Sequence, residues 1–161
     1  RPSNGNSQPA IMVARMAQYM GVQSLIIGLV YLVRFLGVWE KSESSEEPAA
    51  TAEQIQIWYV TAAVLADKFS NDDTYDDILP AMGVVSQLRP EALRIEESQM
   101  LAALLCHATM FVTPSEFHQC LTAVQQRSWA RMDRPSVLCT MQEVLSGGEA
   151  ALGAPKSPRS L

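Results

Sequence analysis

Cysteine, glycine-rich loops, basic clusters and long apolar runs are all scarce in this chain of 161 residues, and each scarcity excludes a class of protein. The cysteines are Cys106, Cys120 and Cys139, odd in number and widely spaced. They form no disulfide framework and fit a reducing, intracellular setting, cytoplasmic or nuclear. Lys and Arg number 12 against 17 Asp and Glu, for a net charge of −5. The densest basic stretch, "RSWARMDR" (127–134), itself carries an aspartate. Phosphate binding needs clustered cations, so nucleic acid is not expected as a partner. The longest apolar run, "SLIIGLVYLV" (24–33), is about half of what a bilayer needs and ends at Arg34, so no membrane span is expected. The chain opens at Arg1 without a methionine, as a trimmed or processed product would, and a targeting segment could have preceded it.

The chemistry of catalysis is equally thin. There is no phosphate-cradling glycine loop, no HExxH and no CxxC. His107 and His118 lie near Cys106 and Cys120, but the spacing matches no zinc ligand pattern. Asp72, Asp73, Asp76 and Asp77 lack the sixth-position glycine and distal glutamate of a calcium loop, so helix capping and solvation explain them better. All three cysteines fall in apolar helical patterns and are expected to be buried. No enzyme activity, metal, cofactor or small-molecule substrate is expected of this chain.

What is present is apolar and helical. Apolar residues make up 48% and charged ones only 18%, which predicts one sizeable core and a surface partly suited to a partner's cover. Residues 1–8 read as a flexible lead-in, with Ser7 a candidate cap and Pro9 in the first turn of a helix that stops at Gly21. A second helix, from about Ser24 through "SLIIGLVYLVRFL", is apolar almost all round and so central; Gly28 in its middle predicts close approach of another helix. Residues 37–52 read as a loop insertion. Thr51 and Gln54 have capping-box spacing, so a third helix runs from near Ala52 to about Ser70. Its alanines, Ala62, Ala63 and Ala66, let other helices crowd around it. A short fourth helix ends at Pro80 and Gly83. A long fifth helix within 89–110 turns Leu93, Met100, Leu101, Leu104 and Leu105 inward, with Arg94 and Glu97 on the opposite face. Thr113 and Glu116 form a second capping box, with Pro114 at the first helical position. A C-terminal helical extension spans 127–146, including "SVLCTMQEVL" (136–145), and 147–161 read as a disordered tail. No segment has strand periodicity, so the fold class is all-α.

The order of these elements carries a resemblance. Tyr19–Gly21, "LVYLVR" (29–34), "LADKFSNDD" (65–73), a glutamate at Glu96 or Glu97, and "FVTPSEF" (111–117) follow one another as in a cyclin box. The match covers about 9–126 and is most similar to the single-box, phosphate-pathway type of cyclin. It implies a bundle of about five core helices around a central helix, plus flanking helices. It also implies a regulator that binds and activates a cyclin-dependent protein kinase by stabilising the active position of the kinase's regulatory helix. Lys68 and one of Glu96 or Glu97 (Gln99 is a further choice) would then hydrogen-bond backbone groups of that kinase, with Phe69, Met100 and Leu104 supplying apolar contact. An alternative is a cyclin-fold adaptor for a non-kinase protein. The chain departs from the family at Val33, where an aspartate is usual and whose loss removes an Arg–Asp tie, and at Asp67, where a small residue is usual.

Overall fold

The computed structural model describes residues 7–42, 50–71, 78–107 and 109–125, with backbone alone for 7–10 and 42. All regular structure in this part is helical: α1 (Ser7–Met16), α2 (Val22–Ser42), α3 (Ala52–Ser70), α4 (Ile78–Ser86), α5 (Pro90–His107) and α6 (Pro114–Gln125). The all-α class therefore holds for these residues. The expected helix at 136–145, residues 1–6 of the lead-in, the tail, Cys139 and the acidic run from Asp72 to Asp77 lie outside them, whereas Ser7 and Gln8, expected in the lead-in, already belong to α1.

The centre is a pair of helices. α2 and α3 share the largest interface; α3 also packs on α4 and α5, and α2 on α5 and α6, while α1 lies against α4. α3 is buried at Ile55 and continuously from Trp58 to Asp67. The seam works because Gly28 lacks a side chain: a Cβ there would fall 2.8 Å from the Cα of Ala63. Glycine's cost in helix propensity is offset by the close approach it permits. Around this crossing Leu25, Leu29 and Leu32 of α2 pack with Tyr59, Val60 and Ala66 of α3 in one hydrophobic core.

The starts of α3 and α6 follow the expected caps, whereas Ser7, expected to cap α1, is its first helical residue. Thr51 accepts from the backbone of Gln54 at 3.2 Å, and the Gln54 side chain accepts from the backbone of Thr51 at 3.0 Å. Three helix ends differ from expectation. α1 stops at Met16, short of Gly21, because the chain tightens into a turn in which the Tyr19 amide donates to the Met16 carbonyl at 2.9 Å. That turn brings Met20 back into the core at 4% exposure. α2 runs on to Ser42 through residues expected to be loop. Trp39 then lies tilted against Trp58 with centroids 5.4 Å apart, and Phe35 meets the same indole edge-on at 5.1 Å. α4 contains both Pro80 and Gly83 and ends only at Ser86. Pro80 is its third residue, where no intrahelical N–H bond is required. The stop is a left-handed Gln87 (φ 59°), after which the Leu88 amide donates to the Gly83 carbonyl at 3.0 Å.

With this extension, α2 is long and apolar enough by composition to cross a membrane, unlike the shorter run read from the sequence. Half of that window is buried by the rest of the fold, so here α2 is a core helix.

Candidate functional site

The last turn of α3 holds the residues of interest. Along this helix Tyr59, Ala63 and Asp67 recur four apart on one buried face, so Asp67 enters the core and is 4% exposed. A buried carboxylate needs donors. The Ser24 hydroxyl at the start of α2 donates to Asp67 Oδ1 at 2.8 Å, and the Asn71 side-chain amide donates to the same oxygen at 2.7 Å. The Asn71 backbone amide closes the helix by donating to the Asp67 carbonyl at 3.0 Å. The end of α3 is thus clamped to the beginning of α2.

Lys68 is one step round the helix, about 100° from Asp67, and emerges beside α5. Its ammonium donates to Glu97 Oε1 at 2.5 Å, with the two side chains 31% and 13% exposed. The position near the C-terminus of α3 also favours a cation. Among the three candidates on α5, Glu97 is the one that meets Lys68; Glu96 is half-buried and Gln99 is exposed. Glu97 does not lie opposite the apolar side, as expected. Leu93, Glu97, Met100 and Leu104 recur at helical spacing on one face, and the carboxylate shares the inward stripe.

Two other expectations for this face are corrected. Met100 and Leu104 are fully buried, so they form the floor that α5 presents to the core and not a contact surface. Leu105, expected inward, is 62% exposed. The exposed apolar groups of this region are Phe69, next to Lys68, and Ile95 and Leu105 on the outer side of α5.

A second node joins α2 to the turn before α6. Thr113 and Glu116 form the expected capping box: the Glu116 amide donates to Thr113 Oγ1 at 3.2 Å, and the Thr113 amide donates to Glu116 Oε2 at 2.8 Å. Arg34 then reaches across from α2. Its guanidinium donates to the carbonyls of Thr109 at 2.5 Å and Phe111 at 3.0 Å, and to Glu116 Oε1 at 2.6 Å. One turn earlier, the Tyr31 hydroxyl donates to the Met110 carbonyl at 2.7 Å. The Glu116 carboxyl is held down at about 2, first by the backbone and hydroxyl of Thr113 and then by Arg34. The carboxylate that Arg34 meets thus lies on α6.

The remaining groups are dispersed. Cys120 is buried, its thiol pushed up to about 11 by desolvation, whereas Cys106 is exposed, against expectation, on the outer side of α5. Tyr59 is fully buried and its phenol is raised well above the ordinary value by that burial. Among the described residues no three His, Cys, Asp or Glu side chains gather closely enough to hold a metal ion. An open groove of about 330 Å³ runs between α3 and α4, lined by Glu53, Gln56, Val60 and Gln87, at the end of α3 away from Lys68.

Sequence reasoning missed Asp67 as a clamp and Arg34 as a latch. Asp67 had a signal: an aspartate in the buried register of an alanine-rich helix requires a polar partner. Arg34 had none, because its acceptors are more than seventy residues away along the chain. No family model, no curated protein and no solved structure matches this chain.

Proposed function

We propose that this chain is a regulatory subunit with a cyclin-box arrangement of its helices, one that binds a cyclin-dependent protein kinase and stabilises its active state. The observation that carries this reading is the Lys68–Glu97 pair. Lys68 and Glu97, the latter one of the candidates that the order of cyclin-like motifs left open on α5, are 29 positions apart and meet across α3 and α5 beside an exposed Phe69. The pair keeps both charges satisfied in the free protein while leaving the lysine partly open to solvent. In the complex, backbone groups next to the kinase's regulatory helix take over as partners, and Phe69 supplies apolar contact. Buried Met100 and Leu104 act behind the surface, fixing the height of Glu97.

The mechanism is a population shift. The regulator binds the kinase better with its helix swung in, where the helix's glutamate pairs with the lysine that positions ATP. The kinase carries out the phosphoryl transfer, and this chain does no chemistry. The setting is intracellular, cytoplasmic or nuclear, and α2 serves the core and not a membrane.

The test is purification of the tagged full chain from its own cells, with co-purifying proteins identified by mass spectrometry. A kinase retained by the wild type and lost with Lys68→Glu is the expected result. The charge-swapped double variant Lys68→Glu/Glu97→Lys restores the pair, and so separates loss of the surface from loss of the fold. Equal kinase retention by Lys68→Glu would remove Lys68 from the interface. No kinase in any sample would turn the reading to a cyclin-fold adaptor for another protein.

A further inference from the structure

We propose that the outer side of α5 is a self-association surface, on which two copies of this chain pair antiparallel about a two-fold axis. This reading goes beyond the function proposed above and does not depend on it.

α5 is apolar on two sides. Leu93, Met100 and Leu104 are buried, and among the described residues α5 packs by that side on α2, α3 and α4. On the outside, Ile95 and Leu105 are 60% and 62% exposed, and Ser98 and Ala102 between them are exposed as well. These four residues are spaced three, four and three apart, the repeat that keeps one seam facing a partner helix. Ala102 lies about 140° round the helix from Glu97, so the seam is separate from the Lys68–Glu97 pair.

The order of the side chains selects the occupant. Read in either direction, the seam runs large, small, small, large, centred on residue 100. A second α5 laid antiparallel matches it: Ile95 meets Leu105 of the partner subunit, and Ser98 meets the partner subunit's Ala102. The two-fold axis makes each contact twice, as an isologous interface requires. The small central residues bring the helix axes to the short end of the usual 8–10 Å or so, and the large end residues interlock. Ser98 is the one polar side chain in the seam. Its hydroxyl already donates to the Arg94 carbonyl at 3.0 Å, so drying the seam leaves no donor unpaired.

Charge selects the direction. A parallel pair would set Arg94 beside the partner subunit's Arg94, whereas the antiparallel pair separates the two by about 18 Å along the axis, beyond the screening length. Glu97 is turned away towards Lys68. The seam is only about 15 Å long, which places the contact at the small end of specific interfaces, about 1,200 Å² or less. The dimer is therefore weak, with a dissociation constant on the order of 10–100 μM.

Sedimentation equilibrium of the purified full chain, over about 1–500 μM, reads the association. The mass is expected to rise from 17.7 kDa towards twice that value. Ala102→Glu puts a bulky charge in the middle of the seam and is expected to weaken association by about tenfold or more. Its far-UV circular dichroism should be unchanged, because Ala102 is exposed. In a Cys106→Ser background, Ser98→Cys/Ala102→Cys is expected to give a disulfide-linked dimer on mild oxidation by diamide, with little from Ser98→Cys alone. Wild type that stays at 17.7 kDa throughout would overturn the proposal. So would a dimer that Ala102→Glu leaves intact, since its surface then lies elsewhere. Equal linkage by Ser98→Cys alone would refute the antiparallel register.

Discussion

Replacing Gly28 with alanine tests the central packing of this fold, because two opposing terms meet there. Alanine improves helix propensity by about 1 kcal/mol. The added methyl, however, would lie 2.8 Å from the Cα and 2.9 Å from the backbone nitrogen of Ala63. Both are backbone atoms of α3 and cannot swing aside as the tip of a side chain could. The helices must separate by roughly half an ångström or more, and a close-packed core resists that change. Overpacking of this kind costs about 1–3 kcal/mol, and loosened contacts along the seam at Leu29 and Val60 add to it. The net expectation is destabilisation by about 1–2 kcal/mol. Gly37 lies in the same helix, but a Cβ there has nothing within 4 Å. Gly37→Ala should therefore stabilise by about 0.5–1 kcal/mol, through propensity alone. Urea unfolding followed by far-UV circular dichroism reads both variants. With a slope of about 1–3 kcal/mol/M, the midpoints should move in opposite directions by a few tenths to about 1 M. Equal stabilisation of the two variants would refute the tight α2–α3 crossing.

Further outcomes follow from the two polar nodes and the thiols. Arg34→Met, which keeps the stem and removes hydrogen bonds to Thr109, Phe111 and Glu116, should cost about 2–3 kcal/mol in the same assay. A loss under 0.5 kcal/mol would deny the latch. Glu116 has its folded pKa lowered from 4.5 to about 2. Its contribution is therefore fully present above the unfolded pKa and is lost as pH falls from about 4.5 towards 2. Carbon-detected NMR of the Glu116 carboxyl should titrate in that low range, and Glu116→Gln should flatten the stability profile there. In native labelling with a thiol reagent, exposed Cys106 should react first. Cys120, buried and raised to about 11, should react at least about a hundredfold more slowly. Comparable rates at the two sites would contradict the docking of α6 on α2.

Much of the site was legible because the relevant signals are either local or periodic. The ordered motifs by themselves single out Lys68 and the pair Glu96 and Glu97. The choice between the two glutamates was already implicit in the spacing of Leu93, Glu97, Met100 and Leu104. Treating a charge in an apolar stripe as a mark of the opposite face put Glu97 on the wrong side. The resemblance assigns partner contact to Met100 and Leu104, although their periodicity already turns them inward, where the core covers both. Apolar character says that a residue seeks cover, and only packing says whether that cover is the core or a partner.

The sequence by itself determined the helical class, the starts of α3 and α6, and the requirement for a side-chain-free position at Gly28. Caps join residues three apart, so Thr51 with Gln54 and Thr113 with Glu116 are complete in the local chain. Tertiary structure decided where helices end. α2 outruns its apolar segment because Trp39 finds Trp58, and α1 stops early because Met20 finds the core. Tertiary structure also decided the charges: Lys68 with Glu97, Arg34 with Glu116, and Asp67 with Ser24. Each joins residues at least 29 positions apart, and a side chain's partner at that separation exists only once the helices have packed.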